Sequence, residues 1–284
     1  MVINMGFNSD ASSRVLDQAI LTKFTEEAGI KAIHDSWNSM VLLFANTPNY
    51  ETVRTQHLTT LDSSIKIPML NRAMHTRLTS TNVDEKIQET IAYFSSKGIP
   101  FTWQVDPTDT PEDLPEYLEK HGLTLSSGPG MALVLSELKI PETQDDLIFE
   151  RVRTQALCEV FARLLAKAYG IPEFAWEDFT QVVMSVGIRD DLFHYLGYLD
   201  GQPVVTATVL YSDGVAGIYN IATLPEARGR RMGSMMTAAP LIDARERGYK
   251  VSILHSTQMG YNVYKRLGFE EICRKVGYVW KPES

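Results

Sequence analysis

The densest chemistry in the 284-residue sequence lies in Arg228-Gly229-Arg230-Arg231-Met232-Gly233-Ser234, which brings arginines and glycines together in one short stretch. It follows the apolar run Val215–Thr223 and opens a segment of helical spacing that stops at Gly248. A strand that passes through a basic, glycine-bearing turn into a helix N-terminus is suited to hold phosphate. The first-turn N–H groups have no intrahelical partner, the helix dipole favours negative charge there, and glycine lets the backbone approach a ligand closely. The same heptapeptide, taken alone, also reads as a solvated surface turn, so the elements around it decide.

Those elements alternate. Residues 156–169 carry Leu157, Val160, Phe161, Leu164, Leu165 and Ala168 at helical spacing, and Gly170 supplies a stop. A weaker helix is expected over 176–186. Apolar runs over 193–199, 203–211 and Val215–Thr223 follow, joined by Asp200-Gly201 and Asp213-Gly214. Asp-Gly between such runs predicts hairpins, because a type I′ turn needs positive φ at both central residues. A three-stranded antiparallel meander is therefore expected. The helix that follows should cover 233–247, with Arg245 and Arg247 in its last turn and a kink at Pro240, which removes a backbone donor and crowds the preceding turn. Val251–His255 then reads as a short buried strand, 260–267 as a short helix and 269–280 as a final strand.

Tyr264-Lys265-Arg266-Leu267-Gly268-Phe269 closes this series. With it, residues 148–280 resemble the GCN5-related N-acetyltransferase (GNAT) family. The resemblance implies an α/β fold with a mixed, mostly antiparallel sheet flanked by helices, the acyl-CoA N-acyltransferase fold, and acetyl-CoA as cosubstrate. In that family an Arg/Gln-x-x-Gly-x-Gly/Ala turn binds the cofactor pyrophosphate through its amides. Arg228 and Gly233 match the first and last positions, and Gly229, Arg230, Arg231, Met232 and Ser234 make up the rest of the implied cofactor turn. Arg231 replaces the middle glycine, a departure that is tolerable if the position has an ordinary helical φ. Met232 is expected to pack inward, and Arg230 either reaches a CoA phosphate or faces water.

Ile221-Ala222-Thr223-Leu224-Pro225 matches the family's strand end before this turn. The resemblance implies that backbone groups along Ile221, Ala222 and Thr223 pair with the pantetheine arm as an added strand would. Tyr264 falls where the family places the phenol that protonates the leaving thiolate, and Thr257 where a residue often hydrogen-bonds CoA. Attack requires a neutral amine, so a base is also needed. Glu173, Glu177, Asp178 and His255 are the candidates, Glu173 being the one assigned here; a water chain would serve as well.

The first half echoes this order. A helix over 83–94, Gly98, the strand Phe101–Val105, a helix over 111–121, Gly122 and a strand over 131–135 repeat helix, strand, helix, strand when Gly98 is set against Gly248 and Gly122 against Gly268. Leu78-Thr79-Ser80-Thr81-Asn82 has neither glycine nor arginine at the turn, and Leu118 stands where Tyr264 would. The expectation is a tandem duplication, with a degenerate GNAT-like domain over 1–140 and the acetyltransferase domain over 147–284, separated by the polar stretch 139–146. An unrelated α/β pair would look similar at this level.

Composition narrows the partners. A net charge of −8 with pI ≈ 5.3 argues against a nucleic-acid partner, which usually meets a basic face. Cys158 and Cys273 have no metal-ligand spacing, the histidines form no HxH or HxxxH pair, and no metal is expected. The longest purely apolar run, at 40–45, is far short of the roughly 20 residues a membrane span needs, and residues 1–10 show no secretory pattern. A cytoplasmic enzyme is expected, transferring acetyl from acetyl-CoA directly to the primary amine of a small molecule or peptide in a ternary complex. The alternative is a non-catalytic acyl-CoA-binding sensor or interaction module. Oligomeric state is not legible.

Overall fold

The protein is described by a computed structural model covering residues 20–142 and 147–282. Its first half runs α1 (Glu26–Ala45), β1 (Glu51–Arg54), β2 (Thr59–Asp62), β3 (Arg72–Met74), α2 (Val83–Lys97), β4 (Phe101–Val105), α3 (Leu114–Lys120) and β5 (Thr124–Val134). The second half runs β6 (Leu147–Arg151), α4 (Gln155–Tyr169), α5 (Trp176–Ser185), β7 (Leu192–Leu199), β8 (Gln202–Ser212), β9 (Val215–Thr223), α6 (Met232–Glu246), β10 (Val251–His255), α7 (Tyr261–Leu267) and β11 (Glu270–Trp280). This is a mixed α/β fold with a mostly antiparallel sheet and flanking helices. No helix among the described residues is long and apolar enough to cross a membrane.

Two compact units divide the chain, and their limits fall inside α1, β5 and β11 rather than in the 139–146 stretch. The first unit takes the chain up to Val41 and Pro129–Cys273; the second takes Leu42–Gly128 and the chain from Arg274. Within the second unit, β1, β2 and β3 are antiparallel neighbours, β3 runs parallel to β4, and β4 pairs antiparallel with residues 276–280 of β11. Its core joins Val83, Ile87 and Phe94 of α2, Phe101 and Trp103 of β4, and Leu114 and Leu118 of α3. Leu118, the counterpart of Tyr264 in the sequence echo, is a fully buried core residue.

The first unit holds the meander. β6, β7, β8 and β9 are successive antiparallel neighbours, β10 runs parallel to β9, and residues 130–134 of β5 pair antiparallel with β10. Both hairpin turns have the expected backbone: Asp200 and Gly201 at φ 52° and 75°, Asp213 and Gly214 at φ 53° and 77°. Thr154 caps α4 by accepting a hydrogen bond from the Leu157 amide at 3.2 Å, and Gly170 ends it in the left-handed conformation. α6 runs through Pro240 as one helix. The strand expected over 131–135 is the end of the longer β5, and α1, β1, β2 and β3 were not anticipated.

Candidate functional site

The site begins where two parallel strands part. β9 and β10 are in register from Ala216 to Ile218 only, opposite Ser252 to Leu254, although β9 continues to Thr223. A β-bulge disturbs the β8–β9 register over the same stretch, and Asn220 there adopts φ 52°. A bulge bends its strand and raises the local twist, which turns the end of β9 away from β10.

The opening is a cleft of about 880 Å³ lined by Ile221, Ala222 and Thr223 and by Arg228, Gly229, Arg231, Met232, Gly233 and Ser234. Thr257, Gly260 and Tyr264 from the segment after β10 line it too, with Tyr169 from the end of α4. Of the residues assigned to cofactor binding from the sequence, all but Arg230 line this cleft; Arg230 is exposed beside it.

α6 is fifteen residues long and begins at Met232, so the amides of Met232, Gly233 and Ser234 are first-turn donors without intrahelical acceptors. Arg231 occupies the cap position at φ 57° and not the ordinary helical φ expected of it. The turn requires the left-handed conformation that a middle glycine would supply freely, and arginine adopts it at a cost of roughly 1–2 kcal/mol. Arg231 also reaches Glu142 at 3.2 Å, while Arg228 folds back so that its Nε donates to the Thr223 carbonyl at 3.1 Å. Met232 is buried, as expected. Thr257 lines the cleft and accepts a hydrogen bond from the Gly260 amide at 3.2 Å, which helps shape the start of α7.

Tyr264 is only 8% exposed, and burial pushes its phenol up to about 12. It therefore holds its proton through the neutral range and is a proton donor to an anion formed beside it. The candidate bases are less well placed. Glu173 is exposed on a short turn before α5 and does not line the cleft. Glu177 hydrogen-bonds Gln181 and pairs with Arg163, each at 3.0 Å, and these contacts hold its carboxyl below the usual range. Asp178 is exposed in the first turn of α5. His255 ends β10 half-buried, with its ring set edge-on to Trp37 of α1 at 5.3 Å.

Tyr169 was read from the sequence only as the end of a helix, yet it lines the cleft and is the residue that sequence reasoning missed. Its hydroxyl donates to Asn220 Oδ1 at 3.2 Å.

Residues 214–272, from the start of β9 through the turn Arg228–Ser234 and Tyr264, match the family model described as an acetyltransferase (GNAT) domain. The match is to this segment of the chain. Similar solved structures extend over most of its length. A GCN5-related N-acetyltransferase from Kribbella flavida is 19% identical with TM-score 0.64, covering 90% of this chain and 96% of its own. A functionally unknown conserved protein from Staphylococcus epidermidis is 14% identical with TM-score 0.61, covering 84% and 95%. A tandem GNAT protein from the clavulanic acid biosynthesis pathway is 13% identical with TM-score 0.58, covering 91% and 95%. At these identities the likeness establishes the fold alone: a mixed α/β, mostly antiparallel acyl-CoA N-acyltransferase fold.

The residues present fit an acyl-CoA on grounds of chemistry. First-turn amides of α6 and the Arg228 and Arg231 guanidinium groups suit a pyrophosphate, the parted end of β9 suits an extended amide-bearing arm, and the neutral phenol of Tyr264 lines the same cleft. Among the described residues no cluster of histidine, cysteine and carboxylate side chains could hold a metal ion.

Proposed function

We propose that the protein is an N-acetyltransferase that transfers acetyl from acetyl-CoA to a primary amine by direct attack in a ternary complex. The observation that carries this reading is the single cleft joining the α6 N-terminal amides, the unpaired end of β9 and the protonated Tyr264. On this reading the turn from Arg228 to Ser234 holds the pyrophosphate and Ile221 to Thr223 hold the arm. The amine nitrogen attacks the thioester carbonyl carbon, the C–N bond forms as the C–S bond breaks, and the sulfur leaves as a thiolate. Tyr264 gives its proton to that sulfur and is reprotonated from solvent, which receives the proton lost by the amine. The products are the N-acetyl amine and CoA.

Glu173 is not placed to take the amine proton directly, so solvent in the open cleft is the better acceptor. The acetyltransferase domain corresponds to 147–284, and 1–140 to a degenerate partner lacking both the phosphate turn and the phenol. Cys158 and Cys273 are both unbridged, which suits a reducing, cytoplasmic setting. The acceptor is a small amine or a peptide amine.

The test is calorimetric titration with acetyl-CoA, followed by a thiol-release screen of primary amines. Micromolar binding with amine-dependent thiol release supports the enzyme. Binding without thiol release for any amine supports a non-catalytic acyl-CoA-binding module, and no binding removes the cofactor assignment.

A further inference from the structure

Asn220 sits at the bulge of β9 in a left-handed conformation, where asparagine is tolerated better than most residues but still less well than glycine. Such strain persists only where its surroundings fix it. Here the fixing is done by hydrogen bonds from three directions. Thr206 Oγ1 donates to the Asn220 carbonyl at 2.8 Å, Asn220 Nδ2 donates to Thr208 Oγ1 at 3.1 Å, and Tyr169 donates its hydroxyl proton to Asn220 Oδ1 at 3.2 Å.

The chain continues inward. Thr208 Oγ1 lies 2.8 Å from Nδ1 of His194, which is 4% exposed and stacks on Phe161 with ring centroids 4.3 Å apart. Burial lowers the His194 pKa to about 4, so the ring is neutral near pH 7. Thr208 Oγ1, which accepts from Asn220 Nδ2, thus shares a second hydrogen bond with His194 Nδ1. With its nitrogen donating to Thr208, the Asn220 carboxamide turns its oxygen to Tyr169, and the Tyr169 hydrogen is committed to Asn220. What Tyr169 offers the cleft is an oxygen with acceptor lone pairs only.

Its position gives that oxygen a use. Along β9 the phosphate turn comes after Thr223, and Ile221 and Asn220 lie progressively farther from it. A cofactor anchored at the turn and extended back along the strand therefore brings its thioester toward Asn220. Tyr169 and Tyr264 line the same cleft.

We infer that Tyr169, oriented by Asn220, is the seat of the acceptor amine: its oxygen accepts a hydrogen bond from the amine N–H and turns the nitrogen lone pair toward the thioester. This rests on the acetyltransferase reading above. Asn220 acts through Tyr169 and is a positioning residue, its amide oriented by the hydrogen bond that Nδ2 gives to Thr208 Oγ1.

The test uses the full chain with the variants Tyr169→Phe, Asn220→Gly and the double variant. Asn220→Gly keeps the positive φ while deleting the carboxamide, and Tyr169 is partly exposed, so the variants retain the fold; circular dichroism and Tm check this. Calorimetric affinity for acetyl-CoA is measured alongside steady-state kinetics with glycine, ethanolamine, benzylamine and a lysine-containing peptide. The expected result is a rise of at least tenfold in KM for the amines, acetyl-CoA affinity within twofold of wild type, and a double variant no worse than twofold beyond either single one. An unchanged amine KM overturns the assignment, as does a loss confined to acetyl-CoA affinity. A lowered Tm with unchanged amine KM would make Asn220 merely structural and overturns it too. A wild-type protein that acetylates none of the amines sinks the acetyltransferase reading and this inference with it, whereas an active wild type with a silent Tyr169→Phe sinks the inference alone.

Discussion

Gly233→Ala separates what the phosphate turn does for the fold from what it does for a ligand. Gly233 is the second residue of α6, has no positive φ, and a Cβ built on it would meet only Thr223 Oγ1 at 3.8 Å. The unliganded fold thus has room for alanine. Replacing a helical glycine whose conformation alanine can share stabilises a protein by about 0.4–1 kcal/mol, chiefly by restricting the unfolded chain. For a protein of this size that is a rise in Tm of about 2 °C. On the proposed reading the ligand feels the reverse, because the added methyl would occupy the space through which a phosphate oxygen approaches the amide. Losing one hydrogen bond to a charged group costs about 1.5–3 kcal/mol, or roughly 10- to 150-fold in Kd. Thermal unfolding of the free protein and calorimetry with acetyl-CoA read the two effects separately. Higher Tm with weakened binding is expected. Higher Tm with unchanged affinity would refute the argument that glycine is there for close approach, and a large fall in Tm would refute the described start of α6.

Three further outcomes are expected. Tyr264→Phe should lower kcat for acetyl transfer about 10²- to 10⁴-fold while leaving acetyl-CoA affinity nearly unchanged, and wild-type turnover would remove the acid role. His194 has a folded pKa of about 4, below its ordinary value of 6.5, so its contribution to stability is complete above pH 6.5 and is lost as pH falls toward 4. The loss is on the order of 3 kcal/mol; denaturant unfolding across this window should show it in wild type and much less in His194→Gln, and equal pH slopes would contradict the neutral buried ring. Gly201→Ala meets no atom within 4 Å but must hold φ 75°, so it should cost about 1–2 kcal/mol by backbone strain alone, measured as a shift in the denaturant midpoint.

The parts of the fold legible in the sequence were those whose residues announce their own geometry. Asp200-Gly201 and Asp213-Gly214 fixed the meander, and Gly170, Gly248 and Gly268 marked helix ends, all at positive φ. The second unit was harder to read. β1, β2 and β3 are three or four residues long, and a strand such as Glu51–Arg54, nearly all exposed, has no alternation to detect. In the cleft, the residues from Arg228 to Ser234 stood out in the sequence because of their types and spacing, and all but Arg230 line it. The left-handed backbone at Arg231 was not legible, since arginine gives no sign of a conformation that the turn imposes. Tyr169 and Asn220 were illegible for a different reason: they lie far apart in sequence, and only the curl of the meander against α4 brings them within hydrogen-bonding distance.

The same nonlocality bears on where the chain can be cut. A division at the polar stretch 139–146 looks natural in sequence, but in the first unit β10 is flanked by β9 on one side and by residues 130–134 on the other. The lost strand carries Met131, Ala132 and Leu133, each at most 3% exposed. Burying one large apolar side chain contributes about 1.5–3 kcal/mol, so Met131 and Leu133 together rival a substantial part of a typical domain's net stability of roughly 5–15 kcal/mol. The fragment would also lose Ser36 of α1, whose hydroxyl lies 2.9 Å from that of Tyr219 in β9. A protein consisting of 147–284 alone, though it contains the whole matched GNAT segment, should therefore aggregate or unfold far below the full chain, with β10 presenting an unpaired edge. A soluble fragment with the full chain's Tm and acetyl-CoA affinity would show that the strand from the first half contributes little. The chemistry can be confined to one half of the sequence while the sheet that supports it is not.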